Sequence, residues 1–323
     1  MTAWSGGAGS AEWALLACVP ALALAIDRVL GEPPLGWHPV AWMGRWLAWL
    51  GVRVAPPAGQ ERAHAFGRGA LAWCASAGVV VLVAWALQRW ILAQPAFLAA
   101  LALALLLKPL LAWAMLHDEV LGVERALLDS TEAGRLQLAR LVSRDVATLD
   151  GGQVRESAIE TLAENLNDSL VAPLFWFVLL GLPGAALFRF ANTADAMWGY
   201  RGVRAGRDWR RAGTWAARAD DVLAWLPARL TALLIGLAGR LRGWSRLPSE
   251  AGRTPSPNGG WPMAAMGLVL GVRLGKPGVY GLNAAGRAPE GADLVRACAV
   301  ASHVALAATV LACAAVLAAV VLS

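Results

Sequence analysis

The chain has 323 residues, of which 58% are hydrophobic and 15% charged, and a mean hydropathy of +0.53, which excludes an ordinary soluble domain and reads as an all-α polytopic membrane protein. Its formal net charge of +6 comes from arginines gathered between apolar runs, where they fit cytoplasmic loops and anionic partners better than nucleic acid. Four cysteines, Cys18, Cys74, Cys298 and Cys313, lie singly in apolar runs without the paired spacing of a zinc or disulfide framework, and read as small core residues.

In chain order, 1–12 is an extension without Lys or Arg, so the apolar run Trp13–Ile26 lacks the basic start of a cleaved signal peptide and reads as a retained anchor. Asp27 and Arg28 close it at the interface, and Gly31–His38 is too rich in Gly and Pro to continue the helix. Trp42–Leu50 suits an interfacial helix, and Arg53–Arg68 a basic loop. Gly69–Trp90 and Ala96–Leu116 each approach the roughly 20 residues that cross a bilayer and form a helical hairpin. Segment 117–156 reads as a cytoplasmic helical insert, with Asp150-Gly151-Gly152 marking its final turn. Ser169–Phe190 is broken at Gly181-Leu182-Pro183-Gly184, and a re-entrant pair there keeps the arginine-dense stretch Arg201–Arg218 inside, as the charge rule asks. Val222–Leu237 is interrupted by Pro227, so its composition leaves open whether it spans or dips. Residues 240–262 read as a loop, and Met263–Leu274 is too short to cross alone. The tract Gly275–Gly281 is a flexible loop whose amides suit an anion, although no Walker or dinucleotide fingerprint is present. Leu294–Leu322 is the last span. The expectation is a single helical membrane domain, 1–323, of about 5–6 hydrophobic helices including the re-entrant pair.

The chemistry concentrates between Glu156 and Tyr200. Glu156, Glu160, Glu164 and Asp168 recur every four residues and form one acidic stripe, with Ile159, Leu162, Leu166 and Leu170 opposite. Like charges at that spacing repel, so the stripe calls for arginines, protons or a divalent cation. Asn192 and Asp195, three apart, share a face beyond the Gly-Leu-Pro-Gly break.

The run from Glu160 to Phe175, with Ala191-Asn192-Thr193-Ala194-Asp195-Ala196-Met197-Trp198-Gly199-Tyr200, resembles the CobD/CbiB family of cobalamin-biosynthesis membrane proteins, the adenosylcobinamide-phosphate synthases. Asp27–Pro33 with His38-Pro39-Val40, Ser143-Arg144-Asp145, Ala217–Asp221 with Leu226–Leu230, and Ser256-Pro257-Asn258 extend the likeness in order along nearly the whole chain. It departs from the family's pattern at Leu166 and Ser169, which leaves the acidic and amide positions intact.

The resemblance implies a carbon–nitrogen ligase. Its reaction joins a propionate carboxylate of adenosylcobyric acid to (R)-1-aminopropan-2-ol or its phosphate, using ATP and Mg²⁺. Glu160, Glu164, Asn165 and Asp168 are then the candidate catalytic residues, and Asp195, Asp220 and Asp221 the candidate metal ligands. His38, Arg144, Asn192, Arg201, Arg218, Ser256 and Asn258 are candidates for substrate or phosphate. Implied partners are these small molecules, the lipid bilayer of a bacterial inner membrane, and other membrane enzymes of the pathway, with no nucleic acid. Two alternatives remain at this point: a transporter or sensor, since intramembrane acids also line ion paths, and a non-catalytic scaffold. The 17 tryptophans suit interfacial anchoring, with Trp198 and Trp261 placed to stack on a flat corrin.

Overall fold

A computed structural model describes residues 15–60 and 63–321; the extension 1–12 and the start of the expected anchor lie outside the described residues. The chain is an all-α polytopic membrane protein. Four helical stretches are long and apolar enough to cross a bilayer, Ala65–Leu92, Ala96–Asp129, Thr214–Ala238 and Gly291–Ala319, and Gly260–Leu270 is a shorter apolar helix. Its contacts divide it into two compact units, Met1–Leu111 with Ala172–Ala224 and Leu311–Ser323, and Ala112–Val171 with Trp225–Val310.

In the first unit, α1 (Val19–Leu30) stops at Gly31, whose φ of 63° only glycine adopts readily. Helix α2 (Pro39–Val54) begins with proline in its first turn, and His38 caps it by accepting the Val40 N–H on Nδ1 at 3.2 Å. Helices α3 (Ala65–Leu92) and α4 (Ala96–Leu107) form the expected hairpin, but the second arm does not run unbroken to Leu116. Pro109 lacks an N–H, and Lys108–Leu110 tightens into a 3-10 turn. Lys108 sits there 4% exposed, its Nζ 3.0 Å from Glu32 Oε2 and 3.4 Å from Asp27 Oδ1, a buried charge made tolerable by two carboxylates.

The break expected at residues 181–184 is present. Helix α8 (Ala172–Leu180) gives way at Gly181, φ 68°, to α9 (Leu182–Trp198), whose first free N–H, on Leu182, is satisfied by buried Gln88 Oε1 of α3 at 2.6 Å. The core beside it holds Leu47, Trp73, Phe190, Trp198 and Trp209. Trp198 is 1% exposed, stacks on Trp209 with centroids 5.9 Å apart and donates to the Leu47 carbonyl at 3.1 Å, so it is a core residue and no platform for a corrin. Trp42, Trp46 and Trp49 of α2 are exposed, as interfacial anchors require. Cys18 and Cys74 are also exposed, a correction to their reading as core residues; Cys298 is buried and Cys313 half-buried. Strands β1 (Val203–Arg204) and β2 (Arg207–Asp208) pair across Ala205 and Gly206, both at positive φ, as a tight hairpin turn requires.

Helix α10 (Thr214–Ala238) is one continuous helix through Pro227. Proline cannot donate to the Leu223 carbonyl one turn back, and the Trp176 indole N–H of α8 donates to it instead at 3.0 Å.

In the second unit, α5 (Trp113–Asp129) and α6 (Thr131–Leu138) are joined at Ser130, which accepts the Ala133 N–H as an N-cap. Asp150 was expected to end the preceding insert; it instead opens α7 (Gly151–Leu166), because it and Gln153 form a reciprocal capping box. Ile159, Leu162 and Leu166 are buried as expected, but so are Glu156 and Glu160: α7 is enclosed on nearly every side. After Leu166 the helix does not continue in register. Asn167–Val171 is a π-turn, in which Asn167 Oδ1 receives the Thr231 hydroxyl of α10 at 3.0 Å. The 240–262 stretch contains a 3-10 turn and α11 (Leu247–Ala251), and α12 (Gly260–Leu270) follows. The tract expected to be flexible is a hairpin of β3 (Leu274–Lys276) and β4 (Tyr280–Leu282), because Pro277-Gly278 supplies a turn closed by the Val279 N–H to the Lys276 carbonyl at 2.9 Å. Helix α13 (Gly291–Val321) ends the described chain.

Candidate functional site

A polar cavity of about 220 Å³ in the second unit is lined by Ser143, Arg144, Glu160, Thr161, Glu164, Asn165, Lys276 and Tyr280, with Leu141 and Val142. It gathers Arg144, Glu160, Glu164 and Asn165 from the sequence-expected set. Thr161, Lys276 and Tyr280 were missed. Helix α7 supplies the floor: Glu160-Thr161 and Glu164-Asn165 are two adjacent pairs one turn apart, so one side of the helix meets the cavity.

The repulsion along the stripe is answered by cations of the same unit. Arg144 Nη2 reaches Glu160 Oε2 at 3.4 Å, and Arg273 Nε reaches Glu156 Oε1 at 3.2 Å. Glu160 is 3% exposed, and among the described residues its buried Oε1 has no hydrogen-bond partner. Burial therefore raises its pKa to about 7, against Arg144 and the Tyr280 phenol, which favour the charged form. Glu156 is shifted upward too, by burial, with Arg273 opposing. The Tyr280 phenol is pushed up by burial and by the charges of Glu160 and Glu164.

Glu164 lies against Gly259, the residue before α12: a Cβ there would stand 2.7 Å from Glu164 Oε1. Asn165 donates to the Thr161 carbonyl one turn back at 3.0 Å, fixing its amide at the cavity edge. Asp168 is not among the cavity-lining residues; it belongs to the π-turn and accepts from Asn167 Nδ2 at 2.7 Å. Ser256 and Asn258 lie outside this cavity and are bonded within the loop before α12. The Ser256 hydroxyl accepts the Asn258 and Gly259 N–H groups at 3.2 and 3.1 Å, and Asn258 Oδ1 accepts from Arg229 at 2.6 Å. Arg229 also lies over Trp225 and Trp261, so Trp261 is engaged by a cation rather than open for stacking.

The remaining expected residues belong to the first unit. His38 caps α2 with Nδ1 and holds Glu32 Oε2 with Nε2 at 3.0 Å, so both ring nitrogens serve the fold. Asn192 lies 3.5 Å from Arg189 Nη1. The Asp195 carboxylate folds over Gly199, where any side chain would collide with it. Arg201 interacts electrostatically with Asp221, and Arg218 is exposed on α10. Asp220 and Asp221 are consecutive on α10, so their side chains leave the axis about 100° apart. Among the described residues no three His, Cys, Asp or Glu side chains converge into a metal cage. Asp195, Asp220 and Asp221 are nonetheless hard oxygen donors of the kind Mg²⁺ takes singly or in pairs when phosphates complete its shell.

Tyr280 and Lys276 carry a signal in composition. The chain has two tyrosines and two lysines in all, and the cavity takes one of each.

The family description "CobD/Cbib protein" matches residues 20–321. A "Probable cobalamin biosynthesis protein CobD" of Thermococcus kodakarensis is 41% identical over 278 residues, covering 85% of this chain and 87% of the relative. A "Cobalamin biosynthesis protein CobD" of Chromobacterium violaceum is 43% identical over 263 residues, 79% of this chain and 80% of the relative, and that of Brucella suis 38% over 299 residues, 83% and 87%. No solved structure matches the chain. With the match running from the start of α1 through α13, the chain belongs to the CobD/CbiB family.

Proposed function

We propose that this protein acts in cobalamin biosynthesis as a carbon–nitrogen ligase. It would join a carboxylate of adenosylcobyric acid to (R)-1-aminopropan-2-ol or its phosphate at the cytoplasmic face of a bacterial inner membrane. The observation that carries the reading is Glu160: a carboxylate buried in a polar cavity, beside Arg144, with its pKa raised to about 7. Amide formation needs a base at that point of the pH scale. An amino alcohol is an ammonium at neutral pH and cannot attack until it loses a proton. Glu160 takes that proton, and the freed lone pair forms the C–N bond as the C–O bond to the leaving oxygen breaks. Arg144 and Lys276 hold anionic groups of the substrates, and Glu164 and Asn165 orient the amine. Mg²⁺ and ATP, when bound, supply the phosphoryl group that makes the carboxylate oxygen able to leave. Asp195, Asp220 and Asp221 are the residues we assign to holding the ion.

A product assay tests this. Purified protein with adenosylcobyric acid, ATP, Mg²⁺ and each amine in turn should yield the amide by mass spectrometry, and ATP should be consumed in detergent only when both organic substrates are present. Uptake of a corrinoid into sealed vesicles without an amide product would overturn the reading in favour of transport.

A further inference from the structure

The hairpin β3–β4 and the segment Leu141–Arg144 supply the walls of the cavity that α7 floors. Lys276 and Tyr280 are direct cross-strand partners, so their side chains leave the same face, and both line the cavity. The hairpin is pinned at its open end. Arg273, just before β3, holds Glu156 of α7; Asn283, just after β4, donates its N–H to Glu250 Oε2 at 2.7 Å and its amide to the Val272 carbonyl at 2.9 Å. The ladder pair with Lys276 and the turn bond from the Val279 N–H to the Lys276 carbonyl set the face from which the Tyr280 side chain leaves.

Its hydroxyl lies 3.8 Å from Met263 Sδ, a weak acceptor, and faces the carboxylate of Glu160. Arg144 reaches that carboxylate at 3.4 Å on Oε2, and among the described residues the buried Oε1 has no hydrogen-bond partner. We propose that Tyr280 is a positioning residue for Glu160: its phenol donates to the carboxylate and orients it toward the cavity. The proposal rests on Glu160 being the base. The other charged groups facing Glu160 are Arg144 from the loop before α7, Lys276 from β3, and Glu156 and Glu164 on its own helix, with Arg273 occupied by Glu156.

The test is the pH dependence of turnover in the full-length protein. Tyr280→Phe removes one hydroxyl and keeps the ring. Turnover at pH 7 should fall roughly fivefold to twentyfold, the acid limb should move up by roughly half a pH unit or more, and part of the loss should return at pH 8.5, with the KM for the corrinoid unchanged. A loss equal at all pH values, or an unmoved acid limb, would overturn the proposal. If Tyr280→Phe lowers the melting temperature, 3-fluorotyrosine incorporated into a Tyr200→Phe background changes only the acidity of the phenol at 280. As a stronger donor it should move the acid limb down, and an unmoved limb there overturns the proposal as well. Glu160→Gln separates the two levels. If it is inactive while Tyr280→Phe keeps the parent profile, only the role of Tyr280 fails; if it retains turnover, the base assignment fails and Tyr280's role with it.

Discussion

Glu160 and Glu164 sit one helical turn apart, yet one is enclosed beside Arg144 and the other lies against the glycine that precedes α12. For Glu160 the raised pKa fixes the sign of a stability effect. The folded state holds the proton more tightly than the unfolded chain, so this group's contribution is fully present below about pH 4.5 and is lost as pH rises through about 7. Glu160→Gln should therefore flatten the fall in melting temperature between pH 5 and 8 while abolishing turnover; a slope equal to that of the parent would deny the shift. Glu164→Gln should leave the melting temperature unchanged or slightly higher, because a repulsive charge is removed, while turnover falls about a hundredfold. Substantial turnover with a much lower melting temperature would assign Glu164 to structure instead. Gly259→Ala places a methyl against a flexible carboxylate, which can move at little energetic cost. The expected outcome is a nearly unchanged melting temperature with turnover down roughly tenfold or more, the penalty of a displaced group rather than of a lost one. If Asp221 helps hold Mg²⁺, Asp221→Asn should raise the Mg²⁺ concentration for half-maximal turnover; an unchanged requirement would leave its role to Arg201.

At the scale of elements, what could be read in advance was punctuation. The Gly181–Gly184 break was legible because Gly and Pro have few uses inside a helix, and the burial of Ile159, Leu162 and Leu166 because apolar residues at helical spacing seek a core. The π-turn was not. An acid every fourth residue reads as an unbroken α-helix, and only the tertiary partner, Thr231 on Asn167, shows where the register slips and Asp168 leaves the stripe. Strands of three residues are likewise too short for an alternation to register, so Pro277-Gly278 was read as flexibility when it closes a turn. Of the site, Arg144 and the acids were legible from one helix and one motif; Lys276 and Tyr280 come from more than a hundred residues downstream and needed the fold. The Trp176–Leu223 bond offers a direct check on how α10 tolerates its proline. Trp176→Phe should destabilise by about 1–3 kcal/mol because it leaves the Leu223 carbonyl without a donor. In a Pro227→Ala background, where an N–H returns to that carbonyl, the same substitution should cost markedly less; equal losses in both backgrounds would show the bond is not filling the proline's gap.

For the molecule as a whole, the arginine distribution predicts sidedness. Residues 31–68, 117–156 and 191–221 should share the cytoplasmic side. Val203→Cys, exposed beside the tight turn of β1 and β2, in a variant without the four native cysteines, should react with an impermeant maleimide only after the membrane is opened. Labelling from outside in intact spheroplasts would overturn the re-entrant reading. Lysine distribution has a different consequence, in reagent chemistry rather than energetics. Among 28 basic residues only Lys108 and Lys276 carry a primary amine on the side chain; the first is buried between two carboxylates and the second is exposed at the cavity mouth. An acylating or reductive-methylating probe applied to the folded protein therefore has one lysine to find. The rate at which Lys276 is modified, followed by mass spectrometry as each substrate is added, becomes a built-in meter of what occupies the cavity.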